Sequence, residues 1–350
     1  MKQPLVPARE GDSTRGDHHT ASGFEPVQGL AAVRPWDHSC RTCAGGTHRR
    51  RGLAKEKWCS QSPVNAAGHL SQAAAELTPR LVRLLADLDH SREWPDVSPP
   101  ALASALAELG DRAAVPAITD AVQAAVRHKQ WRTAEPVLKA LASFGTRAAS
   151  ALETVRPLTE ADNADARTAA AAAVWEIEHR PERVVPLLER LLDHQRNFAA
   201  IGLAGRIGPP AAPVLPRLRQ ILNKQTEINA RNEQDDAAVL NVGNAWTLVH
   251  TASALWDIAG DSEADTVVPA LLNAWKDNDS TARDVLACLN RMGQAARPAL
   301  PQIQTALAQP HRGNDLWSNA VGLDLEIEHI CRSLVARLRD LPEPAPAGEK

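Results

Sequence analysis

Tyrosine is absent from this 350-residue chain, phenylalanine occurs three times and methionine twice. The interior is therefore left to small residues, and 62 alanines supply them, a composition that suits close-packed helices of good intrinsic propensity. No stretch approaches the roughly 18 consecutive apolar residues of a membrane span, and the N-terminus has no basic-then-apolar leader pattern. A cytoplasmic location is the expectation. Only five cysteines occur, two of them far apart in helical patterns (Cys288, Cys331) and three together in an irregular segment, which is not a disulfide framework. No glycine-rich loop follows a strand, no G-x-S-x-G or Walker pattern exists, and no convincing strand is visible. A catalytic role has no residues to stand on, so the chain is expected to be no enzyme and to need no cofactor. A strong basic excess is missing too. The net charge is −3, yet residues 1–62 hold ten Lys/Arg against six Asp/Glu, leaving the remainder with 29 basic and 36 acidic residues. An acidic body argues against a phosphate-binding groove.

What the sequence does contain is a period. Once every 30 to 35 residues an apolar helix ends in a Leu/Ile-Gly-like stop, and a second helix follows with a proline expected in its first turn. Leu109-Gly110, Phe144-Gly145, Ile177-Glu178, Ile207-Gly208, Ile258-Ala259 and Met292-Gly293 share one column of this pattern. A helical pair of this kind cannot bury its apolar face alone and must stack on its neighbours.

Residues 1–68 show no sustained period and are rich in Gly, Pro, Ser, His and Arg, so they read as disordered or weakly structured. Order is expected from residue 69 to 341. It opens with Leu77, Leu81, Leu84, Leu85 and Leu88 at helical spacing, broken near Thr78 because Pro79 fits a helix start and not its middle. Ser98 or a neighbour is expected to cap the first helix of the period, which Gly110 stops. The second helices present wide apolar stripes, as in Val184, Val185, Leu187, Leu188, Leu191 and Leu192. One interval of the column, between Gly208 and Ala259, is too long by about 20 residues, and the excess falls in the polar segment 223–244, whose second half from Asp235 is expected to begin an extra or lengthened helix. Insertions in repeat arrays project from one face and often carry recognition; a surface insertion without a role is the equal alternative. Residues 314–341 are charged and amphipathic, with Ile330, Leu334, Leu338 and Leu341 on one stripe, and read as a terminal cap with a polar outer face. Residues 342–350 read as a flexible tail.

The Leu-Gly column, the Ala-Ala-x-Pro-like step after it (Gly208 to Pro213, Gly293 to Pro298) and the second-helix proline together resemble the HEAT repeat, in the bacterial form known as phycobilin-lyase-like HEAT repeats. The match covers about residues 98–310 and is specific for architecture rather than activity. It implies an all-α fold, a right-handed α-α superhelix of the HEAT/ARM type, in which second helices line a concave face where partners bind. Aligning Pro186, Pro216, Pro269 and Pro301 gives one polar column four residues on, Arg190, Gln220, Asn273 and Thr305, and another seven residues on with Asp193, Asn223 and Lys276. These form the candidate recognition strip, against the ordinary reading of a solvated helix face. The HEAT-type hydroxylase holds two irons on paired His-Glu steps, because two metals need clustered imidazole and carboxylate ligands; this chain has no His-Glu dipeptide, only the reversed Glu178-His179 and Glu328-His329 within EIEH strings. HEAT-like DNA glycosylases pair a basic concave surface with aromatic and acidic residues, which an acidic body does not offer.

Two further features stand outside the period's rule. Trp175 and Trp256 occupy one phase, where the other repeats have Ala107, Ala142, Gly205 and Asn290; an indole there fills space between repeats or projects into a groove, and packing is the expected role. Cys40-x2-Cys43-x4-His48 has the opening spacing of a zinc knuckle beside Arg49, Arg50 and Arg51, but position 53, where the last ligand belongs, is Leu. A structural zinc needs four ligands. Cys40, Cys43, His48 and Cys59 supply that number only in a looser loop, and an unstructured segment is the preferred reading. The expected function is a non-enzymatic protein–protein interaction scaffold with another protein as partner. The alternative is nucleic-acid binding through the basic N-terminal segment.

Overall fold

The computed structural model describes residues 64, 68, 70–90, 97–194, 198–234, 242–277, 279–309 and 320–340, all within one compact unit, residues 50–350. Among the described residues every regular element is a helix. In chain order they are α1 (Ala74–Ala86), α2 (Pro99–Leu109), α3 (Val115–Arg127), α4 (Trp131–Ala142), the short α5 (Leu152–Val155), α6 (Ala164–Glu178), α7 (Pro181–Leu192), α8 (Phe198–Ile207), α9 (Leu215–Gln234), α10 (Val242–Ala259), α11 (Ala264–Asp277), α12 (Ala282–Met292), α13 (Leu300–Ala308) and α14 (Ala320–Asp340). The fold is all-α. The candidate zinc ligands Cys40, Cys43, His48 and Cys59, set against an unstructured segment above, and the tail 342–350 lie outside the described residues.

Contacts run between near neighbours in two rows. The even helices follow one another, α2 on α4, α4 on α6, α6 on α8, α8 on α10, α10 on α12 and α12 on α14, and each odd helix packs beside them, as α3 on α4, α7 on α6 and on α8, and α9 and α11 on α10. The even helices share one burial register. In α2, α4, α6, α8, α10 and α12 the residues one, four, five, seven and eight positions before Gly110, Gly145, Glu178, Gly208, Ala259 and Gly293 are all buried. That spacing is one wide helical face. In α6 this face is mostly alanine: Ala170, Ala171, Ala173 and Val174 have relative exposures of 0, 0, 0 and 4%. With α4 on one side and α8 on the other, only small side chains let three backbones approach this closely. Gly205 of α8 shows how close: a methyl group there would stand 3.3 Å from the Ala254 Cα on α10.

Local signals set the ends. Ser98 Oγ accepts the Ala101 N–H at 3.4 Å and Asn163 Oδ1 accepts the Ala166 N–H at 2.9 Å, satisfying donors that the first turn leaves orphaned. At the other end Gly110 adopts φ 69° and donates to the Leu106 and Ala107 carbonyls, both at 3.1 Å. Gly145, Gly208 and Gly293 also take positive φ (55°, 72° and 57°), though ψ of −143° at Gly208 and −124° at Gly293 sets those two apart from Gly110, and in two helices the turn comes one residue late, at His179 (φ 50°) and Gly260 (φ 59°). The core register is therefore common while α6 and α10 run one residue longer. The Ala-Ala-x-Pro-like step after the stop is a 3₁₀ segment, as at Pro209–Val214 and Gly293–Ala299, burying Ala211 and Val214 or Ala296 and Ala299.

Four expectations need correction. The first helix is not broken at Thr78, since α1 continues from Ala74 through Pro79 to Ala86. Pro79 removes the hydrogen bond to the Ala75 carbonyl, and both residues are exposed, so water satisfies the freed acceptor. The prolines of the second helices do not all lie in a first turn either: Pro186 and Pro269 are inside α7 and α11, again exposed, with exposed residues Glu182 and Asp265 four positions earlier. In the segment 223–244 the helix precedes Asp235 as well as following it, because α9 extends to Gln234 and α10 begins at Val242. The terminal helix buries Leu334 and Leu338, yet its outer face is not uniformly polar: Val321 is 69% and Leu325 60% exposed.

Candidate functional site

Arginine–carboxylate pairs tie successive helices together along both rows. On the odd side Arg190 Nη1 and Nη2 donate to the two carboxylate oxygens of Glu160, at 3.0 and 2.7 Å. Arg217 bonds Asp193 at 2.8 Å and Gln220 Oε1 at 3.1 Å. The hydrogen bonds from Arg190 hold the Glu160 carboxyl below its ordinary range, and the same pair raises the guanidinium. On the even side, two residues before the stop column, Glu176 meets Arg206 at 2.9 Å and Asp257 meets Arg291 at 3.1 Å. Exposed pairs of this kind add little stability each, but they fix the charge pattern of the surface.

Between α4, α6, α8 and α10 lies a groove of about 540 Å³. Its residues come from one stripe of the even helices, two to three, six, nine to ten and thirteen positions before the column, beside the core stripe and distinct from it. Six positions before the column stand Lys139, Ala172 and Gly202. The last two leave the hollow: a methyl group built on Gly202 would have no neighbour nearer than an Arg206 guanidinium nitrogen at 3.9 Å. Glu135 and Lys139, paired at 2.7 Å, form one wall; Glu176 and Arg206 form another.

One end of the groove is aromatic. Phe198, at the start of α8, is 38% exposed. Its ring meets the imidazole of His250 edge-on at 6.3 Å, and that imidazole stacks on Trp246 at 5.8 Å with an interplanar angle of 24°. Asp165, in the first turn of α6, lines the same groove and makes no hydrogen bond or ion pair to the described residues.

The residues singled out in the sequence lie elsewhere. Arg190, Asp193, Gln220, Asn223, Asn273, Lys276 and Thr305 all belong to odd helices or their ends, outside the groove lining. Arg190, Asp193 and Gln220 are engaged as above, the Thr305 hydroxyl donates to the Pro301 carbonyl at 2.9 Å, and Asn223, Asn273 and Lys276 are exposed. Trp175 and Trp256 are half-buried against the core, and Trp175 meets the His179 ring edge-on at 5.4 Å. In the two EIEH strings the carboxylates are taken by arginine, Glu178 by Arg156 at 2.8 Å and Glu328 by Arg332 at 2.5 Å. Among the described residues no three His, Cys, Asp or Glu side chains converge as a metal site requires, and no helix is long and apolar enough to cross a membrane. The groove residues Phe198, His250 and Gly202, and Trp246 stacked on His250, escaped sequence reasoning. Counting back from each stop would have aligned Glu135, Phe198 and His250 at nine to ten positions before it.

Comparison with known proteins finds no matching family model, no similar curated protein and no similar solved structure.

Proposed function

We propose that the chain is a HEAT-type α-solenoid that acts without catalysis, as a scaffold holding a partner polypeptide in the groove across α4, α6, α8 and α10. The observation that carries this reading is the groove itself. Four successive even helices line it, its floor is reduced to Ala172 and Gly202, and its aromatic end exposes Phe198 where an isolated surface position would favour a polar residue. An exposed ring beside a hollow is the arrangement in which aromatic anchors dominate protein recognition. The near-neighbour contacts and the common burial register support stacking of repeats, which leaves one long side of each pair for a partner. This moves the expected binding face from the second helices to the first. Nucleic acid is the poorer fit, because Glu135, Asp165 and Glu176 outnumber Lys139 and Arg206 in the groove.

The test is a filled groove. Gly202→Phe adds a ring where the backbone has room, and affinity capture from the native source is compared between this variant and the wild type by quantitative mass spectrometry. A polypeptide retained by the wild type and lost from the variant, at equal melting temperature, supports the reading. Retention of the same proteins by both removes the groove as the interface.

A further inference from the structure

We propose that the aromatic end of the groove is a socket for an arginine side chain, so that the partner is a basic polypeptide segment. The inference rests on the groove being a protein-binding face and adds the chemistry of what it binds. Three rings meet at this end: Phe198 on His250 at 6.3 Å, and His250 on Trp246 at 5.8 Å. The imidazole meets two rings and makes no hydrogen bond to the described residues, so it acts there as a flat surface.

The charges lining the groove do not balance. Glu176 is matched by Arg206, and Glu135 by Lys139 in an exposed pair one helical turn apart, a pairing weak enough to be exchanged for a better one. Asp165 has no counterpart among the described residues, although it is half-buried and lines the same groove. A cation is the missing complement. Of the two cationic side chains, arginine matches both halves of the site: its planar guanidinium stacks on an aromatic face while its fork of N–H donors engages a carboxylate in two parallel bonds. Lysine offers a compact, strongly hydrated charge that does neither as well. A phosphate or carboxylate ligand would meet Asp165 and Glu135 with like charge.

The probe is the acetylated, amidated pentapeptide Ala-Ala-Arg-Ala-Ala, titrated against the full chain while the Trp246 indole and His250 ring signals are followed by NMR. Three controls accompany it: the lysine peptide, the isosteric neutral citrulline peptide, and the arginine peptide against Asp165→Asn, Phe198→Ala and Gly202→Phe. Saturable shifts are expected for the arginine peptide, with citrulline at least about tenfold weaker and lysine several-fold weaker. Asp165→Asn is expected to weaken binding about tenfold and to abolish most of its salt dependence. Phe198→Ala should weaken arginine more than lysine, a selectivity change that general destabilisation does not produce. Equal binding of the arginine and citrulline peptides, or no saturable shift at Trp246 and His250, overturns the proposal. If the peptide fails while Gly202→Phe still loses a captured partner, the arginine socket is wrong and the groove reading stands; if both fail, both are wrong.

Discussion

Two adjacent residues of α8 decide whether its register is right. Leu203 faces the core with 0% exposure, while Gly202 borders the groove with open space where its Cβ would be. Replacing Leu203 by Ala removes buried apolar volume from between packed helices and costs about 2–5 kcal/mol, depending on how far the cavity collapses. Gly202→Ala has the opposite sign. A helical glycine carries a backbone-entropy penalty of about 0.5–1 kcal/mol relative to alanine, and the methyl meets nothing that must move. The neighbouring substitutions should therefore differ by about 3 kcal/mol or more, a large share of the roughly 5–15 kcal/mol that a domain possesses. Urea unfolding followed by circular dichroism measures both, provided the slopes with denaturant agree. A helix rotated by one residue would exchange the two outcomes. Destabilisation by Gly202→Ala together with near-neutral Leu203→Ala would refute the register, and with it the placement of the groove.

Other consequences follow from single groups. The Asn163 cap bond is 2.9 Å and the Ser98 bond 3.4 Å, so Asn163→Ala should lower stability by about 1–2 kcal/mol and Ser98→Ala by clearly less, near 0.5 kcal/mol; urea midpoints check the order. The Glu160 carboxyl is held low by hydrogen bonds from Arg190. The pair's contribution is complete above the ordinary carboxylate range and disappears as pH falls through the depressed folded value, so Arg190→Gln should return the Glu160 carboxyl resonance to ordinary titration with little change in melting temperature near neutral pH. Burial pushes the Cys288 thiol up. The neutral thiol is favoured in the folded chain, a contribution present below the unfolded thiol range and lost as pH rises through the folded value; peptide mapping after iodoacetamide at pH 8 should find Cys288 unmodified until denaturant is added.

The architecture was legible because its signals are local and repeated. Gly110, Gly145, Gly208 and Gly293 mark positive-φ turns that glycine adopts at no steric cost, and the apolar positions before each stop fall on one helical face. The same locality misled at proline. A rule about hydrogen bonding inside one helix cannot say that Pro79, Pro186 and Pro269 face water, which depends on what packs against the opposite side. The late stop at His179 was hidden for a related reason: the core register ends at Ile177, and the extra turn is set by a non-glycine residue. The groove was least legible. Ala172 and Gly202 look like any other small residues in an alanine-rich chain, and they make a hollow only because four helices stand in register with Glu135, Phe198 and His250 around them. Polar residues on the odd helices stand out in the sequence, yet Arg190 is engaged with Glu160, and Asp193 and Gln220 with Arg217.

The central claim, that the even-helix groove is the binding face, is tested most directly by position-specific photo-crosslinking. A benzophenone amino acid is placed at Ala199 in the groove or at Asn273 on the odd row, the protein is irradiated in native lysate, and the adducts are sequenced. The account predicts one recurrent polypeptide crosslinked from Ala199, through a segment rich in arginine, and none from Asn273. A recurrent partner captured from Asn273 and not from Ala199 would contradict it.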